Sequence, residues 1–364
     1  MANVLWWKSA IGEVEIAAVN QALDDRRLSM GAMAAELERQ FAERMGAKYA
    51  VAAPSGSAAL LFCMLALDVG PGDEVIVPNI TWIATAHAAS LLGARIVLVD
   101  TRPDLPLLDV GLVEKALTPR TKAVLPVHLN GRAVDMKALR ALADRHGFAI
   151  VEDACQAILS QHDGRYLGTY GDLGCYSFGI TKLITSGQGG MVVTDRDDLY
   201  RKMQIIRFHG VTTDADGRET YRSRGFNFKY SDLLASMALE QLKKIDTHAE
   251  HVRAIYRRYA EAMVEFNFLR TLPVREAAGE LPLWFEVECE DREEFMAWMA
   301  SRGFECRRTH PHLDRAAHLG QTGHFPNSIR QSREGLILPC GPAQPMENVE
   351  ATIAAIRDYA RQGG

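Results

Sequence analysis

Two side chains could do chemistry that the rest of the chain must be built to support. Asp153 closes the run Ala149-Ile-Val-Glu-Asp153, a strand-like apolar stretch that ends in carboxylates. Lys182 follows the β-rich run Gly174-Cys-Tyr-Ser-Phe178 and leads into Ser186-Gly-Gln-Gly-Gly190, whose glycines permit tight backbone turns beside a ligand. A buried carboxylate is costly without a cationic partner. A lysine buried near a ligand loses its charge and becomes a nucleophile. A lysine that forms an imine and an acid that keeps a pyridine nitrogen protonated are what pyridoxal phosphate chemistry requires. The bland alternatives are a surface lysine and, for Asp153, an N-cap of whatever helix follows.

Other residues can be set around this pair. Gln156, three positions after Asp153, could reach a cofactor oxygen or face solvent. Ser55-Gly-Ser-Ala-Ala-Leu60 precedes a helical stretch, so free N–H groups and a positive dipole end make a phosphate site there. The ordinary reading is a helix capped by Ser57. Trp82 is a core tryptophan by default, or a flat ring stacked on a cofactor. Arg207, His209, Asn227 and Lys229 form either a solvated face or anion ligands, for a neighbouring subunit's cofactor or for a phosphorylated substrate. Arg307-Arg-Thr-His-Pro-His312 could bind an anionic substrate or simply be solvated. Its histidines lack a carboxylate or cysteine to complete a metal set, so no metal is expected.

The elements that must position these residues read as follows. Glu13 to Leu23 and Ala34 to Met45 are amphipathic helices, separated by Ser29-Met-Gly31 and stopped by Gly46. Between 48 and 200 short β-rich runs alternate with helical stretches at 57–67, 82–92, 110–117 and 135–146. That alternation predicts a mostly parallel sheet with helices on both faces, and ligands beyond the carboxyl ends of its strands. Residues 197–206 read as a helix, 207–230 as irregular and 231–266 as helical. Strand-like runs at 281–288 and 336–339, with helices at 291–302 and 347–361, predict a small α+β unit. The expected division is a large domain with the N-terminal helices over 1–245 and a small C-terminal domain over 246–364.

Composition excludes several classes. With 364 residues, 48% hydrophobic and 24% charged, the chain reads as a soluble enzyme. A net charge of -5 argues against nucleic-acid binding. No apolar run is long enough to span a bilayer, and no export core follows Trp6-Trp-Lys8. Six scattered cysteines without a CxxC pair fit reduced thiols, and the cytoplasm is the expected compartment.

Several motifs occur in order: Ser55-Gly-Ser-Ala-Ala-Leu60, Pro71-Gly-Asp-Glu-Val-Ile-Val-Pro78, Thr81-Trp-Ile-Ala-Thr-Ala86, Val151-Glu-Asp-Ala154, Gly171-Asp-Leu-Gly-Cys-Tyr-Ser-Phe178, Lys182 and Gly187-Gln-Gly-Gly-Met-Val-Val-Thr194. With them the chain resembles the DegT/DnrJ/EryC1/StrS family of sugar aminotransferases, over nearly its whole length. The resemblance implies the type I aspartate aminotransferase fold and pyridoxal 5′-phosphate as cofactor. It implies Lys182 as the Schiff-base lysine, Asp153 as the pyridine-nitrogen partner, Gln156 at the cofactor's 3′-oxygen and Trp82 stacked on the ring. It implies Ser57, Ala58 and Ser177 as the phosphate cradle, with Asn227 lent by the other subunit of a homodimer that shares its active sites. The chain departs from the family pattern at Gly179, Gln188 and Lys229, all of which bear on substrate contacts. Lys229, His209, Arg307 and His310 are the candidate substrate residues.

The activity implied is transfer of an amino group, from L-glutamate with release of 2-oxoglutarate, to a keto or aldehyde sugar of cell-surface polysaccharide or lipopolysaccharide synthesis. Thr181-Lys-Leu-Ile-Thr-Ser-Gly-Gln-Gly-Gly190 looks like the branch of perosamine synthases and of the transaminase making 8-amino-3,8-dideoxy-octulosonate. The acceptor is then 8-oxo-3-deoxy-octulosonate or a nucleotide-linked 4-keto-6-deoxyhexose. Alternatives on the same fold are a lyase or dehydratase and a non-catalytic cofactor-binding regulator. Relatives that dehydrate their sugar carry histidine where Lys182 stands.

Overall fold

The computed structural model of the chain describes residues 3–320 and 323–362. A first sheet takes β1 (Tyr49–Ala53), β2 (Glu74–Pro78), β3 (Arg95–Val99), β4 (Thr121–Val124) and β5 (Ala149–Asp153). After a short hairpin of β6 (Gln161–His162) and β7 (Arg165–Tyr166), it adds β8 (Leu173–Ser177) and β9 (Gly190–Thr194). The seven strands lie in the order β1-β9-β8-β5-β4-β2-β3. All neighbours are parallel except β1 with β9 and β9 with β8. These runs are rich in β-branched and small apolar residues and are buried along most of their length, as a sheet covered on both faces requires. Glu74, the first residue of β2, is buried but held by Arg95 and Arg120 and by the Thr118 hydroxyl.

Two helices, α1 (Glu13–Asp24) and α2 (Ala32–Met45), precede the sheet; α3 (Gly56–Ala66), α4 (Ala84–Ser90), α5 (Val110–Ala116) and α6 (Met136–His146) connect its strands, and α7 (Asp197–Ile206) follows β9. The irregular stretch expected at 207–230 carries a small hairpin, β10 (Val211–Thr213) with β11 (Glu219–Tyr221), closed by the turn around Gly217. The helical stretch after it divides into α8 (Asp232–Lys243) and α9 (Ile245–Met263).

A second, antiparallel sheet follows, of β12 (Arg270–Thr271), β13 (Phe285–Glu288), β14 (Arg307–Arg308) and β15 (Gly335–Leu338), in the order β12-β13-β15-β14. It is joined by α10 (Arg292–Ser301), α11 (Pro326–Glu334) and α12 (Met346–Arg361). The strand expected from residue 281 begins only at Phe285. The backbone N–H groups of Leu283 and Trp284 donate to the Asn130 side chain instead of to a ladder. The N-terminal segment bridges to this sheet region at Val4–Phe304 and Trp7–Cys340. One apolar cluster runs from Phe41 and Tyr176 under the first sheet to Phe285 and Tyr359 beside the second, so the two layers share a core. Among the described residues no helix is long and apolar enough to cross a membrane.

Candidate active site

Where the carboxyl ends of β2 and β5 meet the N-terminus of α3, a cavity of about 220 Å³ opens toward the second sheet. It is lined on one side by Ser57, Trp82, Asp153, Gln156, Ser177 and Lys182, and on the other by Trp6, Trp284, Arg307 and His310. A larger trough of about 670 Å³ lies between α5 and α6, but it contains neither a lysine nor an aromatic ring.

Asp153 is the last residue of β5 and only 5% exposed. Its carboxylate accepts from the Thr85 hydroxyl at 2.8 Å and the Cys155 backbone N–H at 3.1 Å. No cation of the described residues forms an ion pair with it. The N-cap alternative does not hold, because turns rather than a helix follow Asp153. Thr85 has one hydroxyl proton. Giving it to a carboxylate is the stronger of its options, so the hydroxyl of Thr81, 3.2 Å away, donates to Thr85 in turn. A carboxylate with two fixed donors and a free side toward a cavity fits a protonated pyridine nitrogen.

Lys182 sits in the loop between β8 and β9. Burial pushes its amine below the ordinary lysine range; Arg307 adds to this, and Cys155 and Asp153 oppose it. A depressed amine is neutral more of the time and so can attack an aldehyde. The loop is gripped from the N-terminal segment. The Trp7 indole N–H and the Ser9 hydroxyl both donate to the carbonyl of Ile180, at 2.9 and 2.7 Å.

The phosphate side is built at α3. Its N-cap is Ser55, whose hydroxyl accepts from the Ala58 N–H at 3.1 Å, rather than Ser57. Ser57 lies in the first turn and is exposed to the cavity, while the N–H of Ala58 is engaged by the cap. Ser177 closes β8 beside them and accepts from the Gly179 N–H. A Cβ on Gly56 would come within 2.9 Å of the Ser177 Cβ, so only glycine lets strand and helix approach this closely. Hydroxyls at a helix N-terminus suit a phosphate. The residues present therefore fit pyridoxal phosphate at both ends.

Trp82 lies ahead of α4 and is 52% exposed, which excludes the core reading. Gln156 is buried; its Oε1 accepts from the Asn130 N–H and its Nε2 lies 3.0 Å from His310 Nε2. With Gln156 as donor, His310 carries its proton on Nδ1. Burial, with Lys182 and Arg307 nearby, pushes His310 down to about 3, so it is neutral. Arg307 holds its guanidinium 4.6 Å from the Trp6 ring.

The structure does not bring every candidate here. His209, at φ 60, and Asn227 are exposed on the 207–230 loop and line no part of this cavity. Lys229 rests 5.9 Å from the Phe208 ring. Arg207 is buried and bound to Glu38 and Gln204, which removes it as an anion ligand.

Sequence reasoning assigned no role in the site to four residues. Thr85 was legible in the one-turn spacing Thr81-x-x-x-Thr85 after a strand end. Trp6 and Trp284 come from segments distant in sequence, with no local signal. Asn130 is a buried joint in the left-handed region (φ 52). Its N–H holds Gln156, and its side chain makes hydrogen bonds to the backbone of Leu283 and Trp284 and to Glu286.

Known proteins can now be set beside this geometry. The aminotransferase TlmJ of Streptoalloteichus hindustanus is 28% identical, with a TM-score of 0.94 over 100% of both chains. DesV of S. venezuelae, solved in complex with a ketimine intermediate, is 32% identical, with a TM-score of 0.89 over 99% of both chains. The GDP-4-keto-6-deoxy-D-mannose-3-dehydratase of E. coli, solved with bound hydrated pyridoxal phosphate, is 24% identical. Its TM-score of 0.88 over 98% of this chain and 99% of that one is a likeness of fold. The model of the DegT/DnrJ/EryC1/StrS aminotransferase family matches residues 9–357. The chain thus belongs to the DegT/DnrJ/EryC1/StrS aminotransferase family and is a pyridoxal-phosphate-dependent sugar aminotransferase of fold type I.

Proposed function

We propose that the protein moves the amino group of L-glutamate to the carbonyl carbon of 8-oxo-3-deoxy-octulosonate or of a nucleotide-linked 4-keto-6-deoxyhexose, for a cell-surface polysaccharide. One observation carries the amino-transfer reading. Asp153, a buried carboxylate with no ion pair among the described residues, shares a cavity with a lysine whose amine burial depresses. Pyridoxal phosphate, when bound, supplies the electron sink. Asp153 holds the proton on the ring nitrogen, and Thr85 holds Asp153. With the cofactor bound, Lys182 Nζ would take the proton from the donor's α-carbon and return it to the carbon on the other side of the transferred nitrogen; in the second half it would run the same transfer backward. The donor leaves as 2-oxoglutarate and the acceptor's carbonyl oxygen is replaced by the amine. Trp82 would flank the ring, and Ser57 and Ser177 would hold the phosphate.

The working form in this reading is a homodimer. His209, Asn227 and Lys229 lie outside their own cavity, on a loop that also exposes Phe226 (67%) and Tyr221 (75%). Covering those rings with a second copy would carry Asn227 to the partner's phosphate.

The test is spectroscopic. Holoenzyme with L-glutamate should lose the visible absorbance of lysine-linked cofactor, release 2-oxoglutarate, and regain that absorbance with one member of a panel of free and nucleotide-linked keto sugars. Absorbance indifferent to every amino acid would favour a lyase or a regulator.

A further inference from the structure

Lys182 stands at the crest of the loop between β8 and β9, and the crest has little of its own to hold it. Gly179-Ile-Thr-Lys182 closes as a turn, with the Lys182 N–H donating to the Gly179 carbonyl at 3.1 Å. The Gly179 N–H donates to the Ser177 hydroxyl at the end of β8. The Ile180 side chain is 55% exposed, so packing does not fix it. Below the crest the loop is anchored: Leu183 and Ile184 are buried, and the Ser186 N–H and the Thr185 hydroxyl both donate to the Phe178 carbonyl. Among the described residues, the side chains that reach the backbone of 179–182 from another part of the chain are those of Trp7 and Ser9, both on the Ile180 carbonyl. The indole N–H is shared, with the Ser9 oxygen 3.1 Å away as its second acceptor. Two donors converging on one carbonyl fix the plane of its peptide, which lies one residue before Lys182.

The grip comes from the opposite wall. Residues 4–8 form a strap between 303–305 and 340–343. The Val4 N–H donates to the Gly303 carbonyl and the Glu305 N–H to the Val4 carbonyl. The Cys340 N–H donates to the Trp6 carbonyl, the Lys8 N–H to the Cys340 carbonyl and the Ala343 N–H to the Lys8 carbonyl. The Gln344 side chain adds a bond to the Leu5 carbonyl at 2.7 Å. A Cβ on Gly341, at φ 124, would come within 2.7 Å of the Lys8 carbonyl oxygen, so the strap is seated too closely for a side chain there. Neighbouring residues of the strap divide the work. Trp6 lines the cavity, and Trp7, buried beside it, holds the lysine loop.

We propose that Trp7 and Ser9 are positioning residues for the amino transfer: through the Ile180 carbonyl they tie Lys182 to the second sheet, so that the lysine keeps one spacing from the wall that substrates meet. The inference deepens the amino-transfer reading and rests on it. A proton carrier must stand at one distance from the carbon it serves, and a small misplacement is costly in rate. The lysine's own strands do not set that distance, because its crest is fixed from the strap.

Two readouts of holoenzyme test the proposal. The pH midpoint of the lysine-linked absorbance reports the setting of Lys182 Nζ among Asp153, Cys155, Arg307 and His310. A freed crest changes that setting, so Trp7→Phe/Ser9→Ala should move the midpoint by at least about half a pH unit. In single turnovers with saturating L-glutamate the same variant should lose the absorbance about tenfold more slowly, with the half-saturating glutamate concentration unchanged. Ser9→Ala should show both effects in smaller measure, and it carries the test should the double variant fail to fold. Ser9→Thr, which keeps the hydroxyl, should behave as wild type. A midpoint and a rate that stay at wild-type values would overturn the proposal, even with a lowered urea midpoint, since the contacts would then be structural only. A change confined to half-saturation would overturn it as well. Wild-type enzyme that no amino acid converts loses the amino-transfer reading, while the pH midpoint still shows whether the strap sets the lysine.

Discussion

The two walls of the cavity are built differently. The wall at the carboxyl ends of the parallel strands is interlocked: Asp153 is held by Thr85 and Cys155, Gln156 by Asn130, and Ser177 packs against Gly56. The facing wall, from the N-terminal segment and the second sheet, carries groups with spare valence. Among the described residues Arg307 has no ion pair, and the Trp284 indole N–H is buried without a hydrogen-bond partner. Chemistry that must be the same in every turnover belongs on a wall with no freedom, because pre-organised groups need no rearrangement at the moment of reaction. Selection belongs on the wall whose hydrogen bonds are still to be made, since an unmet polar group penalises the substrate that fails to meet it.

The contrast can be broken from the rigid side first. Lys182→Ala should abolish the lysine-linked absorbance and lower amino transfer by at least roughly 10²–10⁴-fold, the range for losing a positioned proton carrier; absorbance that survives would remove Lys182 from its role. Asp153→Asn should cost roughly 10²–10³-fold in turnover, measured at saturating donor. Thr85→Val touches no substrate and removes one charge-assisted hydrogen bond, so about a tenfold loss in turnover is expected, with KM for the donor unmoved. A change in KM alone would mean that Thr85 shapes the substrate site instead.

The facing wall yields a smaller effect, read in stability. His310 is pushed from 6.5 to about 3 by burial and two neighbouring cations. Its folded form refuses a proton that the unfolded chain accepts below 6.5. The stability it contributes is therefore complete above pH 6.5 and is lost as pH falls toward 3, by at most about 1.4 kcal/mol per pH unit. His310→Gln should flatten that slope in urea unfolding of the apoprotein between pH 6 and 4. An unchanged slope would show that His310 is solvated.

Legibility in the sequence follows the same division. β5, β8 and the Lys182 loop are contiguous runs whose alternation and terminal polar residues announce a parallel sheet and its ligand edge, which brings Asp153 and Lys182 to one edge; Gln156 and Ser177 joined them only through the family resemblance. Ser57 reads as the cap from sequence because serines stand on both sides of Gly56, and only the 3.1 Å bond from the Ala58 N–H to Ser55 shows that the helix has already begun at Gly56. The second wall was poorly legible because it is assembled by long-range joints. Trp6 meets Arg307 across some 300 positions of sequence, and Asn130 fixes Trp284 from 154 positions away. No local periodicity records either contact.

The central claim is that Asp153, which has no ion pair among the described residues, is completed by the cofactor's ring nitrogen. Nitrogen NMR of holoenzyme carrying ¹⁵N-labelled pyridoxal phosphate tests it directly. A protonated ring nitrogen in the wild type, lost in Asp153→Asn, is the predicted result; an unprotonated nitrogen in the wild type would contradict the account.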